Sequence, residues 1–183
     1  MKKCFLFLAE GFEDIEAVAV VDVLRRGGVE VKTVSITDEK QVKSAHDIVV
    51  MADQIFEEVK WEEAACLICP GGLPGARYLS EFEPLLQRLQ QQYDAGRYIA
   101  AICASPAMVF SKLNLKAPFQ MTCYPGFEDI LPTSFRVSER GVVVDGKTIT
   151  AKGPAYAVSF GLMILEQLVS PEVAHEVAAG MLL

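Results

Sequence analysis

Residues 98–106, Tyr98-Ile99-Ala100-Ala101-Ile102-Cys103-Ala104-Ser105-Pro106, decide the fold. The apolar residues before Cys103 are typical of a strand buried on both faces of a sheet. A helical pattern starts at Ala104, and Pro106 fits its first turn because an N–H group is not needed there. Cys103 is therefore predicted on a strand-to-helix turn, at the carboxyl end of a strand, where open α/β folds place their chemistry.

Two interpretations of Cys103 follow from this turn. In the first, the helix start directs unpaired N–H groups and its positive dipole end at the sulfur, which favours an exposed, reactive thiolate. In the second, Cys103 is a buried packing residue, because free cysteine is among the most buried residue types. The turn alone leaves both open.

A second strand-turn-helix pattern occupies the start of the chain. Residues 3–9 are apolar apart from Lys3, a helical pattern follows as far as Gly27-Gly28, and residues 29–36 alternate apolar and polar positions. Together they form a βαβ unit, which predicts a parallel sheet. We expect the helix to pack on the sheet through an apolar stripe that includes Ile15, Val18 and Val23, with Glu16 as the carboxylate that faces inward.

The rest of the chain has the same α/β character. Residues 70–75, Pro70-Gly71-Gly72-Leu73-Pro74-Gly75, form a turn whose bare backbone leaves its N–H groups accessible. The sequence predicts a single domain over residues 1–183, with a mainly parallel central sheet and helices on its faces. Further strands are predicted at 48–50, 66–69, 119–123, 135–137, 142–144 and 148–151, and further helices at 80–95, 155–169 and 171–179.

Composition limits the compartment and the partners. The net charge of −7 and the pI near 4.9 argue against a nucleic-acid or anionic-membrane partner, since both need a basic surface. No stretch is long enough to span a bilayer, and the first residues fit a buried strand better than a signal peptide. Five cysteines, an odd number, suit reduced thiols in the cytoplasm better than a disulfide framework.

Cys66 and Cys69 have the spacing of half a zinc site. Both lie in a strand-like run, where residues three apart point to opposite faces of the sheet. Because no second pair of cysteines follows, we predict no metal.

Three turns are expected to converge at the carboxyl edge of the sheet: residues 10–16, residues 70–75 and Cys103. A Glu16 carboxyl held against a thiolate in a partly desolvated pocket would have a raised pKa and could donate a hydrogen bond to the sulfur. The alternative is that Glu16 is only a favourable acid in a first helical turn. Tyr124 offers a phenol at another strand end, and packing alone is its simpler interpretation.

Five motifs together resemble one known family. They are Ala9-Glu10-Gly11-Phe12-Glu13-Asp14-Ile15-Glu16, Val21-Asp22-Val23-Leu24-Arg25-Arg26, Pro70-Gly71-Gly72, Ala100-Ala101-Ile102-Cys103-Ala104 and Lys152-Gly153-Pro154. Their order and spacing over essentially the whole chain are similar to the ThiJ/PfpI family, in the subgroup of the parkinsonism-associated deglycase. The resemblance implies a flavodoxin-like three-layer sandwich, a glutamine amidotransferase-like arrangement and a homodimer.

The resemblance also implies roles for individual residues. Cys103 matches the oxidisable nucleophile of the family, and Glu16 matches its protonated glutamate partner. Gly72 and Ala104 match the positions whose backbone N–H groups form the oxyanion hole. On this basis Glu16 is expected in the site rather than being only a helix-start acid.

The sequence departs from the family pattern at several positions. Ala104 stands where the protease-like branch has histidine, so a local Cys–His peptidase pair is absent, and Tyr124 stands where deglycase-type members often carry histidine. His46 falls where some relatives have an arginine near the dimer interface, which puts anion recognition in doubt, and Arg26 matches a neighbouring arginine. Further residues expected to line the site are Cys123 and Pro154.

The predicted function is a cofactor-independent glyoxalase or protein deglycase of the cytoplasm. Cys103 would add to a small reactive carbonyl, or act on a glycated thiol or amine, and Glu16 would shuttle a proton. The alternative is a redox sensor or redox-regulated chaperone in which Cys103 is oxidised and nothing is turned over. A peptidase is disfavoured by Ala104, and no motif for thiamine-related biosynthesis is visible.

Overall fold

The computed structural model describes residues 2–183. The strands are β1 Lys3–Leu8, β2 Glu30–Ser35, β3 Gln41–Lys43, β4 Val49–Met51, β5 Gln54–Ile55, β6 Ala64–Cys69, β7 Tyr98–Ile102, β8 Phe119–Met121, β9 Phe135–Val137, β10 Val142–Asp145 and β11 Thr148–Ala151. The α-helices are α1 Asp14–Arg26, α2 Gly75–Glu81, α3 Glu83–Asp94, α4 Ser105–Met108, α5 Ala157–Leu168 and α6 Pro171–Gly180.

The central sheet has the strand order β10, β11, β7, β6, β1, β2, β5. Every neighbouring pair in it is parallel except β10 and β11, which form an antiparallel hairpin at one edge. The mainly parallel α/β fold predicted from the sequence is confirmed. Strands β1, β6 and β7 are adjacent, so the turns that follow them meet at one edge of the sheet.

Helices cover both faces of the sheet and bury two separate apolar cores. Along β1, Cys4, Leu6 and Leu8 belong to the core beneath α1 and α5. Phe5 and Phe7 alternate with them and belong to the core beneath α2 and α3. Each fully buried leucine or phenylalanine contributes about 1.5–3 kcal/mol, and this alternation produces the three-layer sandwich.

The buried stripe of α1 differs from the predicted one. Ile15 and Val18 are 56% and 58% exposed, whereas the buried residues of α1 are Glu16, Ala17, Val20, Val23 and Leu24. The reason is α5: a Cβ on its Gly161 would lie 3.0 Å from Cβ of Val23, so α1 and α5 approach closely along that face. The stripe prediction was wrong for Ile15 and Val18 and right for Val23.

The helix predicted over residues 80–95 is two helices. The backbone of Phe82 leaves the helical region between α2 and α3. Pro84 explains the break, because its ring excludes the preceding turn of a continuous helix and it has no N–H group to donate. The strand predicted at 48–50 lies at 49–51 and pairs with β3 in a hairpin outside the central sheet. Among residues 2–183, every helix is too short or too polar to cross a bilayer.

Candidate active site

Cys103 lies on a strained turn directly after β7. Its φ is 65°, in the left-handed region that residues with a side chain rarely adopt. Two hydrogen bonds fix this backbone: the Cys103 N–H donates to the Ala151 carbonyl at 2.9 Å, and the Tyr124 N–H donates to the Cys103 carbonyl at 2.8 Å. Such strain persists only where the surrounding structure enforces it, and it is concentrated at functional sites.

Three groups face the sulfur of Cys103. Burial raises the pKa of the Cys103 thiol, and the backbone N–H groups of Gly72 and Ala104 oppose this rise as hydrogen-bond donors. The Glu16 carboxyl lies beside the same sulfur, because a Cβ on Gly71 would be 2.6 Å from Oε2 of Glu16 and 3.0 Å from Sγ of Cys103. The structure therefore brings together all four residues that the sequence analysis assigned to the reactive centre. Two N–H donors on one atom can stabilise a negative charge that forms there.

The loop after β6 fits only glycine at two consecutive positions. A Cβ on Gly71 would lie 2.5 Å from Cβ of Cys103 and 2.6 Å from Oε2 of Glu16. Gly72 has φ 89°, and a Cβ there would lie 2.4 Å from the Glu13 nitrogen. The sequence analysis selected Gly72 and overlooked Gly71, although both stand in the same Pro-Gly-Gly motif.

Glu16 is fully buried in the first turn of α1. Its Oε2 accepts a hydrogen bond from the Gly71 N–H at 2.8 Å, whereas its Oε1 is buried without a nitrogen or oxygen partner. Burial raises the pKa of the Glu16 carboxyl to about 7. A carboxyl in this state gains and loses a proton near neutral pH, as proton transfer requires.

The pKa of Cys103 does not follow the sequence expectation. Burial, followed by the neighbouring charge of Glu16, raises the pKa of the Cys103 thiol to about 12. The sequence-based expectation overestimated the effect of the helix dipole on the Cys103 thiol, because α4 is only four residues long. Two buried acids in contact carry at most one negative charge near neutral pH, so a thiolate at Cys103 requires the proton on Glu16.

Cys103 is also less exposed than expected. It is 9% exposed, compared with 0–1% for Cys4, Cys66, Cys69 and Cys123. Cys103 is therefore largely buried, and it is the most exposed of the five cysteines. Cys66 and Cys69 belong to the cores on opposite faces of the sheet, as strand alternation predicted.

Tyr124, Cys123 and Pro154 were all expected to line the site. Tyr124 is 45% exposed and adjoins Cys103 through its backbone N–H, and a Cβ on Gly153 would lie 3.1 Å from its ring. Tyr124 and the 153–154 segment therefore form one rim. Cys123 is 1% exposed and belongs to the core on the other face of the sheet from Cys103, so it points away from the site.

Arg26 and His46 were expected near the site, and the structure places Arg26 away from it and His46 beside the turn that precedes Glu16. Arg26 pairs with Asp22 at the far end of α1, ten residues beyond Glu16 and about 15 Å along the helix axis. The structure does not place Arg26 in the site of its own chain. His46 is exposed and its Nδ1 lies 2.7 Å from Oδ2 of Asp14, which raises the pKa of His46.

Glu13, Asp14 and His46 offer ligand atoms that all lie within 4.8 Å of one another. Carboxylate and imidazole groups suit several divalent cations. These groups already bond within the protein: Glu13 Oε2 accepts from the Glu16 N–H, and Asp14 pairs with Ser44 and His46. A cation here would have to displace those hydrogen bonds.

A cysteine on a strand-to-helix elbow, facing two backbone N–H groups at the carboxyl edge of a parallel sheet, defines a class of α/β proteins with a nucleophile elbow. Comparison with known proteins specifies the class further. Residues 2–167 match the DJ-1/PfpI family, and the chain belongs to it. The resemblance found in the sequence is thereby confirmed.

Individual relatives agree with this assignment. Protein DJ-1 homolog B of Arabidopsis thaliana is 35% identical over 182 residues, covering 100% of this chain and 42% of its own length. The glutathione-independent glyoxalase DJR-1.2 of Caenorhabditis elegans is 33% identical over 164 residues, covering 89% of this chain and 86% of the relative. The chain thus spans less than half of the Arabidopsis relative.

Solved structures show the same fold. The structure described as Toxoplasma gondii DJ-1, oxidized, superimposes with a TM-score of 0.94 at 36% identity, covering 100% of this chain and 98% of that chain. Together with the strand order, this similarity establishes the flavodoxin-like architecture.

Proposed function

We propose that this chain is a cysteine-dependent enzyme of reactive carbonyls, a glutathione-independent glyoxalase that also removes early carbonyl adducts from protein thiols and amines. The observation that supports it is the convergence of a thiol, a buried acid with a pKa near 7, and two N–H donors on one sulfur. The name of the Caenorhabditis elegans relative agrees with this activity.

The proposed reaction converts a 2-oxoaldehyde into a 2-hydroxy acid. The Cys103 sulfur forms a bond to the aldehyde carbon, and a proton goes to the aldehyde oxygen, which gives a hemithioacetal. Glu16 then removes the proton from that carbon and returns it to the neighbouring carbonyl carbon, while the proton of the hemithioacetal hydroxyl passes to the former carbonyl oxygen. These two transfers leave a thioester beside a hydroxyl group. Water hydrolyses the thioester and regenerates the thiol.

Each part of the site has a task in this sequence. Gly72 and Ala104 stabilise the negative charge on oxygen during addition and hydrolysis. Glu16 accepts the proton that the buried thiol loses, passes it to the aldehyde oxygen, and returns a proton to the sulfur after hydrolysis. The electrons are only rearranged within the substrate and one water is added, so the reaction requires no cofactor.

The test is turnover of methylglyoxal to lactate without glutathione or added cofactor. We expect Cys103→Ser to abolish turnover and Cys123→Ser to keep it, because Cys123 lies in the opposite core. Failure of the wild-type protein to turn over methylglyoxal, or wild-type activity in Cys103→Ser, would refute the proposal.

One observation favours a second candidate function, redox sensing. Oε1 of Glu16 is buried without a nitrogen or oxygen partner, and when protonated it could donate to an oxygen carried by Cys103. An oxidised cysteine would find the N–H groups of Gly72 and Ala104 as further donors. Mild peroxide should then add two oxygens to Cys103, and a Cys103–Cys123 disulfide would contradict this outcome.

A homodimer is part of the proposed function. Apolar side chains are exposed on α1 and around β4, and Val18 and Met51 line one cavity of about 190 Å³. A patch of this kind marks an interaction surface, and a second copy of the chain is its proposed occupant. The exposed members are Ile15, Val18, Ile48, Val49 and Met51. The cytoplasm is the proposed compartment, because all five cysteines are free thiols.

A further inference from the structure

The turn between β1 and α1 brings additional carboxylates to the reactive centre. The backbone of Glu13 packs directly on the Gly71-Gly72 loop, and its N–H donates to the Gly71 carbonyl at 3.0 Å. The Glu13 side chain is 8% exposed, and its Oε2 accepts from the Glu16 N–H at 2.8 Å. Burial is the main cause of the raised pKa of Glu16, and the negative charge of Glu13 adds to it, so the two carboxyls interact electrostatically.

The cations near this turn are already paired with carboxylates. Lys43 lies 3.9 Å from Glu10 and 3.3 Å from Asp47, and His46 contacts Asp14. On the opposite rim, Lys152 pairs with Glu139 at 3.3 Å. In the described chain no lysine, arginine or histidine nitrogen lies within 4 Å of the Glu13 carboxyl, so this acid adjoins Glu16 without a paired cation.

We infer that this acidic turn, residues 10–14, selects substrates by charge: it admits uncharged carbonyl compounds to Cys103 and expels the carboxylate product. The inference rests on the proposed function, in which a neutral 2-oxoaldehyde becomes an anionic 2-hydroxy acid. The fully buried Glu16, whose Oε1 has no hydrogen-bond partner, offers a ligand oxygen a group to bond with beside Cys103. Like charges beside that position raise the free energy of a bound anion, so they hinder the entry of an anion and favour its release.

The charge selection can be measured without turnover. Iodoacetamide and iodoacetate both alkylate a thiolate with loss of iodide, and they differ in that only iodoacetate is charged. The ratio of their rates at Cys103, followed by peptide mapping, is independent of the thiolate fraction. At low ionic strength we expect this ratio to exceed that of 2-mercaptoethanol by about tenfold or more.

Glu13→Gln should lower this ratio about threefold or more, because the amide keeps the hydrogen bond to the Glu16 N–H and removes the charge. Asp22→Asn is the matched control, since it removes one charge from the far end of the same helix, where Asp22 pairs with Arg26. If Glu13→Gln does not fold, Asp14→Asn gives the same test. The asparagine side chain removes one negative charge from the turn and can still form hydrogen bonds with Ser44 and His46. Salt at 0.5 M should reduce the wild-type ratio.

A wild-type ratio equal to that of 2-mercaptoethanol, or an equal change in Glu13→Gln and Asp22→Asn, would overturn the inference. Turnover separates this failure from failure of the proposed function. A high ratio of iodoacetamide to iodoacetate rates without conversion of methylglyoxal would support the charge selection and refute the glyoxalase activity. Conversion of methylglyoxal with a low ratio would support the glyoxalase activity and refute the charge selection. In an active enzyme, lactate should inhibit Glu13→Gln at lower concentration than wild type.

Discussion

Glu16 combines two properties that are rarely found together in one side chain. It is completely buried, and burial raises the pKa of its carboxyl to about 7, although the hydrogen bond from the Gly71 N–H to Oε2 opposes this rise. Burial of a charge destabilises a protein, and a neutral carboxyl avoids that penalty. Replacing Glu16 with an uncharged residue should therefore lower the catalytic turnover and raise the stability of the fold at a pH where the carboxyl is ionised.

Glu16→Gln should lose most methylglyoxal turnover, because the amide preserves the shape and cannot exchange a proton. It should also change the pH dependence of stability. The folded-state pKa of about 7 lies above the ordinary value of 4.5, so the native protein binds the extra proton and loses stability as pH rises from 4.5 through 7. The free energy of unfolding should fall by roughly 3 kcal/mol over this pH range, and the glutamine variant should not show this fall.

Urea unfolding of wild type and Glu16→Gln at pH 5 and pH 8 measures this effect. The two proteins should differ little at pH 5, and the variant should be the more stable one at pH 8. Equal stability at both pH values, or turnover within a few-fold of wild type, would contradict the role of Glu16.

Tyr124→Phe separates chemistry from packing at the rim of the site. The ring is 45% exposed and packs beside Phe127 and Gly153, contacts that phenylalanine retains. We expect kcat/KM for methylglyoxal to fall about threefold to tenfold, as for loss of one positioned hydroxyl group, with little change in Tm. A lower Tm with unchanged kinetics would assign Tyr124 to packing.

The loop between β6 and α2 controls how closely Glu16 and Cys103 approach. Gly71→Ala would place a methyl group 2.6 Å from Oε2 of Glu16 and 2.5 Å from Cβ of Cys103. We expect this variant to lose methylglyoxal turnover by about tenfold or more, since small displacements of catalytic groups have effects of that order or greater.

Gly180→Ala is the matched control for Gly71→Ala. Gly180 lies in α6, and a Cβ there would meet nothing within 4 Å. This control should keep full activity and wild-type stability or better, because alanine is the stronger helix former. Full activity of Gly71→Ala, measured beside it, would show that the close approach is not required.

Elements with strong sequence signals were predicted well, and the failures have physical causes. Strands β1, β6 and β7 and helix α1 follow from long apolar runs and glycine stops. Strands β3 and β5 were missed, because two or three residues are too few to show a period. The α1 stripe failed at Ile15 because the sequence did not reveal the close packing of α5.

The reactive centre was predicted from the family resemblance more than from periodicity. Helical spacing alone left Glu16 ambiguous, and only the motif order favoured its place beside Cys103. The raised pKa of Cys103 was missed because it depends on burial and on a neighbour 87 positions earlier in the chain (103 minus 16). Arg26 was misplaced because a motif match carries no information about which end of a helix faces the site.

At the scale of the whole molecule, the proposed dimer gives a direct test. Val49→Asp introduces a charge into the exposed apolar patch, where Val49 is 54% exposed. The wild type should sediment at roughly 40 kDa, twice the chain mass of 20.0 kDa, and the variant should sediment as a monomer. Ile130→Asp is the control, because Ile130 is equally exposed and lies outside the patch. A monomeric wild type would refute the dimer.

The bond between the Cys103 N–H and the Ala151 carbonyl also fixes an order of assembly. Cys103 leaves the ribosome well before Ala151, so the elbow cannot adopt its final backbone until β11 has paired with β7. Parallel pairing between distant segments is slow, because long loops must close first. Until that pairing we expect Cys103 to react as an ordinary cysteine of an unfolded chain, and its contacts with Glu16 and the glycine loop to form only when the chain is almost complete.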